Sequence, residues 1–477
     1  MRVYPSAMQS GITVIGGGLA GCEAAWQLAE QGVPVTLIEM KPLKKTPAQR
    51  ENSLAELVCS NSLRSKNPLN AIGLLKDEMQ RLNSLIIRAA VTNAVPAGDA
   101  LAVDREGFSQ AIVQTIDAHP RIDRQASVVT TLPETGDTIV ATGPLTDPQL
   151  AADIARSTGR DRLYFYDAIA PIISSESINR EIVFSASRYG KGNGDDYLNC
   201  PLNQGEYERF IDALLEAEYM PLHSFEEPRY FQGCQPIEVM AQSGRETLRF
   251  GPMKPVGLTD PRTGNRPYAV VQLRQEDRFG QTYNLVGFQT KMKYPEQTRI
   301  FRSIPGLEEA QFVRLGAIHR NTYLDSPNLL DARMRFRKNP HIRFAGQITG
   351  VEGYVESAAH GLMTARLMAA DFNDTALEIP PADTAIGALW RHVTGAHRLN
   401  DRAHEPHNIN WSMFPPAPDG VSKRERKRYR VLKAIDSLET WAVSHQVALP
   451  ASSITAEQLA DPPRRRRPAK EPVQPSL

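Results

Sequence analysis

The chain has 477 residues, 41% of them hydrophobic and 23% charged, with a formal net charge of +1. That length exceeds one ordinary core, so two domains are expected, and the composition excludes an intrinsically disordered chain. The first residues lack the basic, apolar and small-residue succession of a signal peptide, and no apolar run approaches the ~18 residues of a spanning helix, so a cytoplasmic protein with no membrane partner is expected.

Ile12 to Ile15 is a short β-branched run that reads as a buried strand. Gly16, Gly18 and Gly21 follow in G-x-G-x-x-G spacing, Leu19 to Gln31 continues in helix formers, and Gly32 stops that helix. Val33 to Glu39 is the next apolar strand, and it ends in an acid. Strand, glycine turn, helix, strand and acid together make the full context of a dinucleotide fingerprint. Gly16 permits the tight turn, Gly18 lets backbone approach a pyrophosphate, and Gly21 allows close packing of helix on strand. The N–H groups from Gly17 through Leu19 and Ala20, at the helix start, are expected to hold the diphosphate. Glu39 sits where a carboxylate accepts hydrogen bonds from a ribose.

Thr138 to Ala141 reads as a strand entering Thr142-Gly143, a second close backbone approach. Between about Arg188 and Tyr323, short turn-punctuated apolar runs (Tyr268 to Leu273, Tyr283 to Phe288) read as antiparallel strands, with a helical pattern from Glu206 to Glu218. Ile342 to Gly346 is again a strand, running into Gln347 and then Gly350 to Gly353, and Tyr354 opens a long helix of small residues. A glycine-rich strand-to-helix turn so far along the chain suits a flavin, whose ribityl chain and ring extend beyond the first βαβ unit. The positive end of that helix would favour negative charge on a reduced flavin. The fold class expected is α/β, a Rossmann-type FAD-binding domain with an inserted α+β domain. Its expected parts are residues 10–187, the first part of the FAD domain, and 188–323, an insertion facing substrate or RNA. Residues 324–447 would complete the FAD domain and add C-terminal helices, and 448–477 would form a disordered Pro/Arg-rich tail.

Cys22, Cys59, Cys200 and Cys234 are scattered without a CxxC pair, so neither a disulfide framework nor a metal site is expected. Each is either a small buried residue or a working thiol. Cations cluster at Lys41, Lys44, Lys45 and Arg50, at Arg333, Arg335, Arg337 and Lys338, and from Lys423 to Lys433. Each cluster reads either as a surface that tracks a phosphate backbone or as a solvated helix face.

The segments GGGLAGCEAAWQLA, LVCSNSLRS, SRYGKG, DYLNCP, GCQPIEVMA and FAGQITGVEGYVESAAHGL together resemble TrmFO, the folate- and FAD-dependent tRNA (uracil-5-)-methyltransferase family. The resemblance runs from about Ile12 to about Lys433. LVCSNSLRS and GCQPIEVMA are particular to that family, while the glycine-rich segments are shared with the related MnmG family. MnmG members carry a further C-terminal helical domain, for which this chain has too few residues.

The resemblance implies that methylenetetrahydrofolate donates a one-carbon unit to C5 of a uridine in the tRNA T-loop, at position 54 of the tRNA. Reduced FAD makes it a methyl group, and NAD(P)H recharges the flavin. It further implies that Cys234 adds to uracil C6, because C5 is a poor nucleophile until a thiolate converts the ring to an enolate. Cys59 matches a second family cysteine, proposed to remove the C5 proton or handle the nucleotide, with a structural thiol as the alternative. Tyr354 matches a tyrosine near the flavin. Arg188, Tyr189 and Lys191 match a loop that contacts folate or RNA. The uridine is expected to flip out of the T-loop stack. No obligate protein partner is expected. The same chemistry on ribosomal RNA, or an FAD oxidoreductase acting on a small molecule, are the competing readings.

Overall fold

The computed structural model describes residues 11–46, 48–159, 163–220, 235–396 and 404–460. Its first sheet has six strands in the order Arg335–Phe336, Asn339–Phe344, Thr138–Val140, Ile12–Ile15, Val35–Glu39, Ile122–Ala126. All pairs are parallel except the outermost, Arg335–Phe336 on Asn339–Phe344. A parallel sheet of this kind must be covered on its faces, which is why Val14, Leu37 and Ile139 lie side by side fully buried. The helix Leu19–Glu30 packs on the sheet against the late helix Tyr354–Phe372. Glycines in the late helix and in the turn ahead of it set how closely they approach the first helix. A Cβ at Gly361 would stand 2.3 Å from the Ala20 carbonyl oxygen, and one at Gly346 2.5 Å from the Ala20 Cβ. Gln27 and Arg366 then lock the pair, with Arg366 Nε donating to Gln27 Oε1 at 2.9 Å.

A second six-stranded sheet is antiparallel throughout, in the order Phe184–Ser185, Tyr197–Leu202, Ala269–Gln275, Thr282–Leu285, Ile172–Ser174, Phe312–Arg314. It has its own core, in which Tyr207, Phe210, Phe288 and Phe301 are almost fully buried. The helix Gln204–Leu215 lies over it, started by a capping box between Asn203 and Glu206. A ribbon of Leu163–Ala168 with Ile318–Tyr323 joins the two bodies.

Two expected boundaries differ from these hydrogen bonds. Residue 188 falls between two paired strands of the second sheet, Phe184–Ser185 and Tyr197–Leu202, so a division that follows the pairing starts the insertion near residue 163. The strands of the second sheet ahead of Arg188 are only two and three residues long, too short to display an alternating pattern. Residues 448–460, expected within a disordered tail, are instead fastened to the helix Ala71–Arg81. The Pro450 carbonyl accepts from Arg81 Nε at 2.8 Å, Ser452 Oγ donates to Asp77 Oδ2 at 2.9 Å, and Leu459 is buried. Local composition cannot report such distant partners. The remainder of that tail, including the four arginines, lies outside the described residues.

Candidate functional site: a nucleotide cleft opening into a thiol-bearing cavity

The strand Ile12–Ile15 ends at Gly16, whose φ of +107° belongs to the region that only glycine enters freely. A Cβ at Gly21 would lie 1.7 Å from the Gly16 carbonyl oxygen, so the turn closes only with glycine at both places. Gly18 has open space where a side chain would sit, and it begins the helix Leu19–Glu30 without a side-chain cap. The amides of that first turn are therefore left for a ligand. Gly16, Gly18, Leu19, Ala20, Glu39, Gly143, Gln347 and Tyr354 all line one cleft. Gly17 lies beneath it, its N–H donating to Glu39 Oε2 at 2.6 Å, while Glu39 Oε1 accepts from the Lys41 N–H at 3.1 Å. Gly21 and Gly346 serve packing behind the cleft, and Gly353 (φ +103°) opens the helix Tyr354–Phe372, also without a side-chain cap. Two uncapped helix starts thus aim at one groove. The sequence reading missed Ser127 to Val129 and Thr146 of its wall, which sit in irregular stretches without a motif.

The cleft continues into a second cavity, and Val58, Pro144, Leu145, Gln347 and Tyr354 line both. Cys59 is on its wall. The Tyr354 hydroxyl oxygen accepts the N–H of Cys59 at 2.7 Å and that of Ser60 at 3.2 Å, which pins the cysteine backbone to the start of the late helix. Burial, reinforced by Cys59 and opposed by Arg105, pushes the Tyr354 phenol far above its ordinary range, so the hydroxyl stays neutral. Arg105 holds the same segment from the other side, donating to the Leu57 and Cys59 carbonyls and pairing with Glu276. Arg314 is close enough to be influenced by Cys59 and Tyr354, and burial together with the Arg105 charge lowers its pKa. Cys59 therefore lies close to two guanidinium groups, those of Arg105 and Arg314.

Cys234 lies outside the described residues. Described structure resumes at Gln235, and the Ile237 N–H donates at 2.8 Å to the carbonyl of Gln289, itself a wall residue of the second cavity. Cys22 and Cys200 are fully buried, and burial drives both thiols far up, as befits packing residues.

The chain is similar to known proteins over most of its length. The family model described as "Glucose inhibited division protein A" matches residues 11–376. A protein of Geobacter sulfurreducens named methylenetetrahydrofolate–tRNA-(uracil-5-)-methyltransferase TrmFO is 55% identical over 438 residues, covering 91% of this chain and 99% of that one. A protein of the same name from Anaeromyxobacter dehalogenans is 55% identical over 433 residues, covering 90% and 96%. The chain belongs to the TrmFO family. Among solved structures, GidA of Aquifex aeolicus superposes with a TM-score of 0.67 at 15% identity, covering 94% of this chain and 75% of that one, a likeness of fold alone.

Within this TrmFO family member the three basic clusters part company. Lys41 is buried on the Ser53 carbonyl and Glu56, and Lys44 is paired with Asp147. Arg333 and Arg335 are tied to Asp371 and Asp331. Lys427 and Arg428 instead stand exposed on the helix Arg426–Ser444. Of the expected loop, Arg188 donates to Gln272 Oε1 at 2.8 Å, Tyr189 is half-exposed at φ +60°, and Lys191 pairs with Asp99. Among the described residues no His, Cys, Asp and Glu group is arranged to hold a metal, and no helix is long and apolar enough to cross a membrane.

Proposed function

We propose that this chain methylates C5 of a uridine in the tRNA T-loop, position 54, with methylenetetrahydrofolate as carbon donor and FAD as its resident cofactor. The observation that carries the reading is the union of two sites. A groove with two uncapped helix starts, suited to a dinucleotide, opens through Gln347 and Tyr354 into a cavity that bears a cysteine among guanidinium groups. The residues fit FAD: Gly18 and Gly143 leave open space for its close approach, and Glu39 is placed for its ribose. When bound and reduced by NAD(P)H, the flavin supplies the hydride equivalent that turns a transferred methylene into methyl.

The chain's own residues do the rest. Cys234 is the thiolate that adds to uracil C6, a reading supported by Ile237, three residues on, being anchored at the cavity wall. Three residues of extended chain span about 10 Å. Cys59, oriented by Tyr354 and Arg105, takes the proton from C5 after transfer. The helix Arg426–Ser444 offers Lys427 and Arg428 to the tRNA backbone. Nothing in the scheme requires a protein partner.

The test is to incubate the holoprotein with unmodified tRNA transcript, methylenetetrahydrofolate and NADPH, and to assay 5-methyluridine by nucleoside mass spectrometry. Folate-dependent appearance of 5-methyluridine at one site is expected. Folate-independent NADPH turnover with no modified nucleoside would overturn the proposal in favour of a small-molecule oxidoreductase.

A further inference from the structure

Asn284 is a buried primary amide whose nitrogen is unpaired among the described residues. It is 3% exposed, it lines the cavity of Cys59, and its Nδ2 has no hydrogen-bond acceptor among the described residues. Leaving such a donor unmatched is costly, so its persistence points to a ligand acceptor. Directly across the sheet, in register, stands Arg274, also on the cavity wall and 7% exposed. Arg274 cannot swing away, because Nε donates to Asn61 Oδ1 at 2.9 Å and Nη2 to Ser60 Oγ at 2.7 Å. Ser60 is the neighbour of Cys59, so the guanidinium and the cysteine segment are fixed to one another.

Resting on the function proposed above, we infer that Asn284 and Arg274 form the oxygen-facing wall of the pyrimidine site and stabilise the negative charge that develops on uracil O4. In the covalent step the thiolate forms a bond from sulfur to C6. The C5=C6 π pair moves to form C4=C5, and the C4=O4 π pair moves onto oxygen. No proton or electron is exchanged, and the single negative charge passes from sulfur to O4. An amide N–H beside a guanidinium, preset and shielded from water, is the donor pair such an oxyanion requires. Uracil suits this wall better than the pterin of the folate. Both carry a ring N–H, but a pterin adds an amino group that needs a further acceptor, and the carboxylate among the described residues of this cavity, Glu352, already accepts from Gln347 Nε2 at 2.7 Å.

Asn284→Asp keeps the shape and removes the donor, and Arg274→Lys keeps the charge and removes the fork; together they guard against a single misfolded variant. Each is given RNA carrying 5-fluorouridine and saturating methylenetetrahydrofolate, since fluorine at C5 blocks proton loss and traps the sulfur–C6 adduct. Adduct formation at saturating RNA is expected to slow about 100-fold in Asn284→Asp and at least tenfold in Arg274→Lys. Folate affinity, read by flavin fluorescence, should move less than twofold, and thermal melting reports folding. Loss of folate affinity with adduct formation intact would reassign the wall to the pterin and overturn the inference, as would normal rates in both variants. A wild-type protein that forms neither adduct nor 5-methyluridine would instead sink the proposed function.

Discussion

The nucleotide cleft and the reaction cavity share a wall yet are made of different material. Backbone sets the turns of the cleft, at Gly16, Gly18 and Gly143, and bare helix amides are its donors. The cavity is mostly side chains, and Cys59, Arg64, Arg274, Asn284 and Tyr354 reach it from chain stretches far apart in sequence. Backbone binds a cofactor common to many reactions; side chains decide which reaction follows. Changes in one region should therefore separate cofactor retention from chemistry.

The strongest separation is expected from Cys234→Ala. Losing the proposed nucleophile should lower 5-methyluridine formation by at least about 1000-fold while the purified protein keeps its yellow colour and flavin content. Full methylation by that variant would remove Cys234 from the mechanism, and loss of flavin would erase the distinction between the two regions.

The converse is Gly21→Ala, which adds one methyl group 1.7 Å from the Gly16 carbonyl oxygen. The turn must open to admit it, at a cost of about 1–3 kcal/mol. Flavin affinity should fall about tenfold to 100-fold, measured by titrating apoprotein, with methylation recovering when excess FAD is supplied. Methylation that stays low at saturating FAD would show that the turn also shapes the cavity.

The difference in material also explains what could be read in advance. The first βαβ unit was legible because Gly16, Gly18, Gly21 and Glu39 are local, and each residue type answers one steric or hydrogen-bonding need. The later glycine turn was expected to hold cofactor, whereas in the fold Gly346 packs against Ala20 and Gly353 lines the second cavity rather than the cleft. Asn284 and Arg274 were not legible, because their meaning arises only when Thr282–Leu285 pairs with Ala269–Gln275 over Ser60. Gly361 was hidden inside a helix of small residues, its role set by Ala20 on another helix. Cys59 and Tyr354 were named from family resemblance, whereas the two hydrogen bonds between them are a fact of the fold.

Tyr354→Phe tests that junction, where cleft and cavity meet. It leaves the Cys59 and Ser60 N–H groups without their acceptor, removing two ordinary hydrogen bonds while retaining the ring. Methylation should fall roughly tenfold to 30-fold with flavin content unchanged, measured as kcat on tRNA transcript. An unaltered kcat would mean that Arg105 and Arg274 hold the cysteine segment without the Tyr354 hydroxyl.

The smallest effect concerns the electrostatic cost of the cavity side. Lys76 is buried behind Arg64, a cavity residue, and donates to the Ser65 carbonyl at 2.8 Å. Burial, with the like charge of Arg64 adding to it and Glu356 opposing, lowers its pKa from 10.5 to about 7. Below pH 7 the ammonium is charged in folded and unfolded chains alike, and the folded state bears the full penalty. Between about 7 and 10.5 the unfolded chain holds the proton and the folded chain does not, so stability rises with pH across that window. Urea unfolding should show a gain of about 1 kcal/mol between pH 7 and pH 8 attributable to this group. Lys76→Met should lack that increment, whatever its absolute stability after losing the bond to Ser65. Identical pH slopes in the two proteins would mean that Lys76 stays charged beside Arg64, with Glu356 neutralising both.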